Sequence, residues 1–391
     1  MLAEMCGKRN ALHSNAMIIG RATTEGTARY RNRFPQLRDA GHYRQPENVP
    51  GAGELWLSSI GLGTYLGEPD DAADAEYTEA IKTALQFGIN ILDTAINYRH
   101  QRSERNIGAA LKQLIASGEL RRDEVTVCTK AGYLSYDHDL PPDPRAYMMR
   151  EYIEPGIIDP AQLAGGMHCM APEFLENQIE RSRRNLGLQT IDVFYLHNPE
   201  SQLSDATREV FHQRLKSAFA LLEQEVAGGK IQYYGMATWN AFRVPETSRD
   251  YVNLFDVAAL AREVGGEEQH FRFVQLPFNL GMPEAYSLRN QESGQGKVSL
   301  LDAAAELGIA VVGSATLLQG RLTAGLPEFI GKNLGTANDT ESAIQFSCSA
   351  PGVATSLIGM GRKEHVAENL KTIGRMRTAE KTWKETFAEK S

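Results

Sequence analysis

Asp93, Tyr98, Lys130 and His197 are side chains that together could move a proton onto a carbonyl oxygen. Three apolar runs in succession stop at ionisable groups: Ile91-Leu92-Asp93-Thr94-Ala95 with Tyr98 just beyond, Val127-Cys128-Thr129-Lys130, and Tyr195-Leu196-His197-Asn198-Pro199. A phenol titrates near ~10, which makes it a weak acid at neutral pH, but a neighbouring ammonium stabilises the tyrosinate and lowers that value. Lys130 is expected to do this for Tyr98, with Asp93 holding Lys130 charged, because a buried lysine without a partner sheds its proton. His197 would hydrogen-bond the substrate oxygen, polarising and orienting it. No side chain delivers hydride, so a reduction at this set requires a cofactor. A lysine at a strand end also serves as a Schiff-base nucleophile, which leaves an aldolase acting through Lys130 as an alternative.

Such residues meet only if successive strand ends are neighbours. From residue 55 onward, short β-branched runs alternate with amphipathic stretches. Strands are expected at 59–64, 89–93, 124–130, 191–197, 231–237, 273–278, 309–314 and 355–358. Helices are expected at 74–87, 103–116, 172–186, 205–227, 251–263, 298–307, 340–349 and 364–370. Gly88, Gly187 and Gly308 stand where a left-handed cap would turn a helix back into the sheet. Eight such units predict an α/β fold, the (β/α)8 TIM barrel, whose sites lie at the carboxyl ends of the strands. A doubly wound sheet is the structural alternative, but Gly61, Gly63 and Gly67 are spaced one residue too wide for its dinucleotide fingerprint.

The reading divides the chain into an irregular N-terminal extension (1–54), the barrel (55–375) and a C-terminal tail (376–391). Arg29, Arg31, Arg33, Arg38 and Arg44 make the extension basic, suiting either an arm lying on the barrel or one that binds a partner. Long stretches follow the third strand (131–171) and the sixth (279–297). Loops of that length commonly line a site, so both are expected to shape the substrate pocket. Met167, Met170 and the insertion tyrosines would lie over its mouth, with Trp56 and Trp239 adding an aromatic lining.

With 41 basic and 49 acidic side chains, the 391 residues carry a formal charge of -8, which argues against nonspecific nucleic-acid binding. No window is apolar enough to span a membrane. Cys6, Cys128, Cys169 and Cys348 include no CxxC pair, fitting a reducing, cytoplasmic setting. The adjacent His168 and Cys169 seldom place two side chains on one ion, and no metal is expected.

The order of motifs resembles the aldo-keto reductase superfamily over about residues 55 to 375. Gly88 through Ala95 with Tyr98, then Ser103-Glu104, Ile107-Gly108 and Leu111, resemble its second strand and helix. Thr129-Lys130, Asn185-Leu186-Gly187-Leu188, Ile191-Asp192, Leu196-His197, Gly228-Gly229-Lys230-Ile231 and Glu368-Asn369 follow in the family's order. The resemblance implies Asp93, Tyr98, Lys130 and His197 as the catalytic tetrad, NADPH as cofactor, and reduction of a small-molecule aldehyde or ketone.

It also implies cofactor contacts from Gly63, Thr64, Thr238, Gln275, Ser314, Leu317, Gln319, Gly359, Arg362, Lys363, His365, Glu368 and Asn369. Gln275 and Thr238 would hold the nicotinamide amide, where the family's usual serine is replaced by Ala237. Ser314 stands in place of a stacking aromatic. Arg362 and Lys363, at a helix N-terminus, would grip a 2′-phosphate. The departures at Ala237 and Ser314 keep open a noncatalytic, nucleotide-binding scaffold.

Overall fold

Every barrel strand runs parallel to both neighbours, and the sheet closes on itself. The computed structural model describes residues 16–390, so Cys6 lies outside the described residues. The strands are β1 (Ile60–Gly63), β2 (Ile91–Asp93), β3 (Thr126–Ala131), β4 (Ile191–His197), β5 (Ile231–Ala237), β6 (Phe271–Pro277), β7 (Ala310–Ser314) and β8 (Val353–Gly359), each paired with the next and β8 with β1. The crossover helices are α1 (Asp71–Gln86), α2 (Arg102–Ala116), α3 (Pro172–Leu186), α4 (Arg208–Ala227), α5 (Leu254–Gly265), α6 (Leu300–Leu307), α7 (Asp339–Ser349) and α8 (Lys363–Ile373). The expected (β/α)8 barrel is the observed fold, with β4, β5 and α3 at their expected bounds. Gly187 and Gly308 cap α3 and α6 in the left-handed conformation, both at φ 66°.

Strand periodicity sorts side chains between two cores. Leu92, Val127 and Phe194 face the helices, while Ile91, Cys128, Val193, Tyr195, Phe273, Val312 and Leu357 fill the barrel. Asp93, Lys130, His197, Ala237 and Gln275 share the inward parity of that second set, one step nearer the carboxyl ends. The pleat of the strands therefore aims the expected site residues at a common point.

The extension is not irregular, which corrects the sequence reading. Thr24–Asn32 is a helix capped by Thr23, whose hydroxyl accepts from the Gly26 amide. Tyr30, from this helix, is fully buried and donates to Leu85 O (2.6 Å) and Ile89 O (3.0 Å). Ala22, Val49, Ala52, Leu55 and Leu57 join the inner core, so this segment closes the amino-terminal end of the barrel. Its positive charge is spent on the barrel. Arg29 reaches Asp123 and Glu124, Arg33 reaches Glu124, and Arg31 lies 4.0 Å over the Trp56 ring. Trp56 thus belongs to the arm's packing and does not line the cavity at the carboxyl ends of the strands.

The C-terminal tail likewise carries a helix, Glu380–Lys390, whose Trp383 is buried against Phe278, Phe346 and Tyr286. Residues 289–299 form a hairpin, Arg289–Ser293 with Gly296–Ser299, where the sequence predicts a loop to 297 and a helix from 298. Among the described residues no helix is long and apolar enough to cross a membrane.

Candidate active site

Lys130 lies at the centre of the candidate site, with one percent of its side chain exposed. Its ammonium donates to Asp93 Oδ2 at 2.6 Å and to Thr94 O at 2.7 Å, and lies 5.1 Å from the centre of the Tyr98 ring. Burial works to remove its proton, but Asp93 and Tyr98 outweigh that and hold Lys130 above its usual value. Burial raises the Tyr98 phenol, and the opposing pull and hydrogen bond of Lys130 only partly offset it. The expected net lowering of Tyr98 is therefore corrected: the phenol stays protonated through neutral pH.

His197 ends β4, its ring 5.7 Å from that of Tyr98 and edge-on to it. Burial pushes this imidazole well below its usual value, with the Lys130 ammonium and His168 adding to the effect, so the ring is neutral. Its Nδ1 is buried without a hydrogen-bond partner among the described residues. Gln275 is brought into the same cluster in an unexpected way. Its amide donates to Asp93 Oδ1 at 2.8 Å, so this side chain orients the aspartate while also lining the cavity at the carboxyl ends of the strands.

Three consecutive residues after Tyr98 hold left-handed backbone, Arg99, His100 and Gln101 at φ 47°, 53° and 70°. Side-chain anchors maintain this costly segment. Arg99 pairs with Asp74 (2.7 Å) and bonds Asn106 (2.8 Å), while Gln101 bonds Tyr136 O and accepts from Asn185. Buried Glu104 accepts from Thr129 and Asn185. Several motif residues that carried the family resemblance thus brace the Tyr98 loop.

A cavity of about 1160 Å³ opens over the carboxyl ends of the strands. Of the tetrad, Asp93, Tyr98 and His197 line it and Lys130 lies beneath. Gly63, Thr64, Thr238, Gln275, Ser314, Leu317, Gln319, Gly359, Arg362, His365, Glu368 and Asn369 line it too; Lys363 does not. Arg362 is paired with Glu76 at 3.4 Å, both side chains being more than half exposed. The cavity also takes Tyr65, Asn198 and Thr316, which sequence reasoning missed although each adjoins a strand end. Tyr65 lies 5.0 Å from the Tyr98 ring.

Neither long insertion lines this cavity, which corrects the expectation that they shape it. Tyr133 alone of residues 131–171 reaches a smaller cavity of about 270 Å³, shared with Asn198, Glu200 and Trp239. The first part of that insertion is drawn against α2 and α3, and its end (161–168) against Gln202, Asp205 and Arg214. Arg105 pairs with Asp137 and Arg102 with Asp139, and Tyr152 packs on Phe174. Met170 is buried there, and Met167 is exposed. Cys169 is buried with its thiol pushed up to about 11, an unreactive state. Among the described residues no group of three or more His, Cys, Asp or Glu could hold a metal ion.

The residues present fit a nicotinamide cofactor. The hydroxyls of Thr238 and Thr316 are buried, line the cavity and have no hydrogen-bond partner among the described residues. Gly361 leaves a gap that a Cβ would close against the Tyr77 ring, at 3.1 Å.

The model of the Aldo/keto reductase family matches residues 59–385. A protein of Schizosaccharomyces pombe named a putative voltage-gated potassium channel subunit beta is 24% identical over 369 residues, spanning 86% of this chain and 92% of that protein. The NADH-specific methylglyoxal reductase of Escherichia coli is 26% identical over 201 residues, 50% of this chain and 53% of its own. In fold, the chain is similar to an aldo/keto reductase from Klebsiella pneumoniae solved with NADP and acetate, at TM-score 0.56 and 19% identity over 86% of this chain and 91% of the other.

Proposed function

The chain belongs to the aldo/keto reductase family, and we propose that it is an NADPH-dependent reductase converting a small aldehyde or ketone to an alcohol, with Tyr98 as general acid. The observation that carries this reading is the buried cluster in which Lys130 is held by Asp93 at 2.6 Å beside Tyr98 and His197, at the floor of the large cavity. When bound, the reduced nicotinamide supplies the hydride that adds to the carbonyl carbon.

The chain's own residues manage the oxygen. Tyr98, protonated at neutral pH, gives its proton to the oxygen as negative charge develops there. Lys130 stays ammonium through Asp93 and compensates the tyrosinate left behind. Asp93 is fixed by two donors, Lys130 on Oδ2 and Gln275 on Oδ1, so the ammonium cannot swing away. Neutral His197 retains one N–H to place on the substrate oxygen, fixing the carbonyl in the cavity. Thr238 and Thr316 offer hydroxyls to the cofactor's polar groups, and Arg362 a guanidinium to its phosphate.

The same cluster weighs against a Schiff-base aldolase, which needs a neutral amine, whereas Lys130 is held above its usual value. A noncatalytic scaffold draws support from Ala237 and Ser314 and from the relative named as a channel subunit. The intact tetrad favours catalysis.

Fluorescence titration with NADPH and with NADH tests the cofactor. Saturable binding of both is expected, with NADPH tighter by about tenfold: a contact to a charged group is worth roughly 1.5–3 kcal/mol, and the exposed Arg362, already paired with Glu76, falls at the low end of that range. Equal or tighter binding of NADH would remove Arg362 from phosphate recognition. Saturable NADPH binding with no turnover of any of a broad set of aldehydes and ketones would favour the scaffold.

A further inference from the structure

His168, from the long insertion, is buried and lies outside the tetrad, yet its ring is tied to the strand end that carries His197. Its Nε2 is 2.8 Å from His197 O, and its Nδ1 is 2.7 Å from Gln202 Nε2. The direction of each bond follows from donors that cannot act otherwise. Arg214 only donates, and it bonds Gln202 Oε1, so the other end of that amide is the NH2 group. Gln202 therefore donates to His168 Nδ1, which leaves the ring proton on Nε2, where it is donated to His197 O.

That carbonyl belongs to the peptide linking His197 to Asn198, a non-glycine residue at φ 47°. The N–H of the same peptide donates to Ala237 O at 2.6 Å. The plane is thus pinned from both sides, and its tilt decides how His197 and Asn198 enter the cavity. Packing leaves little alternative. A Cβ on Gly132 would lie 2.5 Å from His197 O and 2.8 Å from His168 Nε2. The Tyr133 ring meets both imidazoles edge-on, at 5.0 Å from His168 and 5.2 Å from His197. A left-handed non-glycine residue persists where its surroundings over-determine it, and His168 supplies one of the two hydrogen bonds that do so here.

We propose that His168 is a positioning residue for the reaction: through the relay Arg214–Gln202–His168 it locks the His197–Asn198 peptide and so sets the orientation of the His197 imidazole. This rests on the carbonyl-reductase reading for its kinetic consequence but not for its structural one.

The test combines kinetics with nitrogen NMR of 15N-histidine-labelled, full-length protein. With NADPH and 4-nitrobenzaldehyde as probes, His168→Leu is expected to lower kcat about 10- to 100-fold, with KM and NADPH binding within about threefold. His168→Gln, which keeps a donor at similar reach, is expected to restore most of the loss. In the unliganded protein, His168 should show the Nε2–H tautomer, and His168→Leu should shift the His197 ring nitrogens. Should His168→Leu not fold, Gln202→Leu frees the tautomer and is expected to move the same His197 signals and kcat in the same direction. A kcat within twofold of the unmodified protein in His168→Leu, a loss that glutamine does not restore, or unchanged His197 nitrogens would overturn the proposal. If the unmodified protein turns over no carbonyl compound, the reductase reading fails, while the nitrogen spectra still decide whether His168 orients His197.

Discussion

The two ends of the barrel each bury a cation against an aspartate, at nearly the same distance and to opposite purpose. At the carboxyl end Lys130 meets Asp93 at 2.6 Å, and at the amino end Arg122 meets Asp192 at 2.7 Å. Asp192 is fully satisfied by Arg122, the Val127 amide and the Ala22 amide of the arm, and Arg122 adds the carbonyls of Val125 and Thr190. This pair lines neither the large cavity nor the smaller one, and a guanidinium keeps its proton in any protein setting. Lys130 is a group whose proton affinity its surroundings can set, and it lies beneath a cavity beside a phenol. On the proposed reading, the chemistry therefore depends less on having a buried ion pair than on which end of the barrel the chain leaves open.

The comparison is broken most sharply by removing the acid. Tyr98→Phe is expected to lower kcat about 10³-fold while NADPH binding stays within about threefold, read by steady-state turnover and fluorescence titration. Retained turnover would show that the open end works through another group.

Next come the pairs themselves. Breaking either by Lys130→Met or Arg122→Met leaves a buried carboxylate uncompensated, costing about 3–5 kcal/mol in denaturant melts. Only the first should also reduce kcat, by about two orders of magnitude. A comparable loss of kcat per folded molecule in Arg122→Met would erase the distinction between the ends.

Each end also holds a buried, neutral histidine. His42, in the arm, bonds Ser59 Oγ and Gly88 O, and its imidazole is pushed down to about 3; His168 is pushed down to about 4, burial being the main cause in both. Unfolded histidine titrates near ~6.5, so between that pH and the folded value the unfolded chain binds the extra proton. Stability should be full above about pH 6.5 and fall on acidification, by up to about 1.4 kcal/mol per pH unit for each histidine, until the folded value is passed. Urea melts at pH 7 and pH 4.5 measure it, and His42→Gln should flatten the slope without changing kcat at neutral pH.

Smaller effects probe the arm. Tyr30→Phe strips a hydroxyl from two buried carbonyls and should cost about 1–3 kcal/mol with kcat unchanged. Arg29→Ala removes the pairs of a guanidinium about one-third exposed, while buried Glu124 keeps Arg33, and should cost no more than about 1 kcal/mol, diminishing further in high salt.

Much of the barrel was legible because its evidence is local. The runs 191–197 and 231–237 are strands at the expected residues, and each helix expected in the barrel is present with ends moved by a few positions. The extension was misread for the converse reason. Its helix is short and polar in composition, and what orders it is Asp192, Glu124 and the carbonyls of residues 85 and 89, all distant in sequence. Gln275 was legible as a site residue but not as a partner of Asp93, since no spacing rule couples β6 to β2 across the barrel. The insertion at 131–171 has the composition of a pocket loop, yet Arg102 and Arg105 on α2 draw it aside.

Sequence alone determined the alternation of strands and helices, the closure implied by eight units, and the placing of Asp93, Lys130 and His197 at successive strand ends, because period and order are properties of the chain itself. Tertiary structure decided which end of the barrel is sealed, which aspartate faces a cavity, and that burial outweighs Lys130 in raising the Tyr98 phenol. Those outcomes depend on desolvation and on contacts between residues far apart in the chain, and both come into being only when the barrel closes.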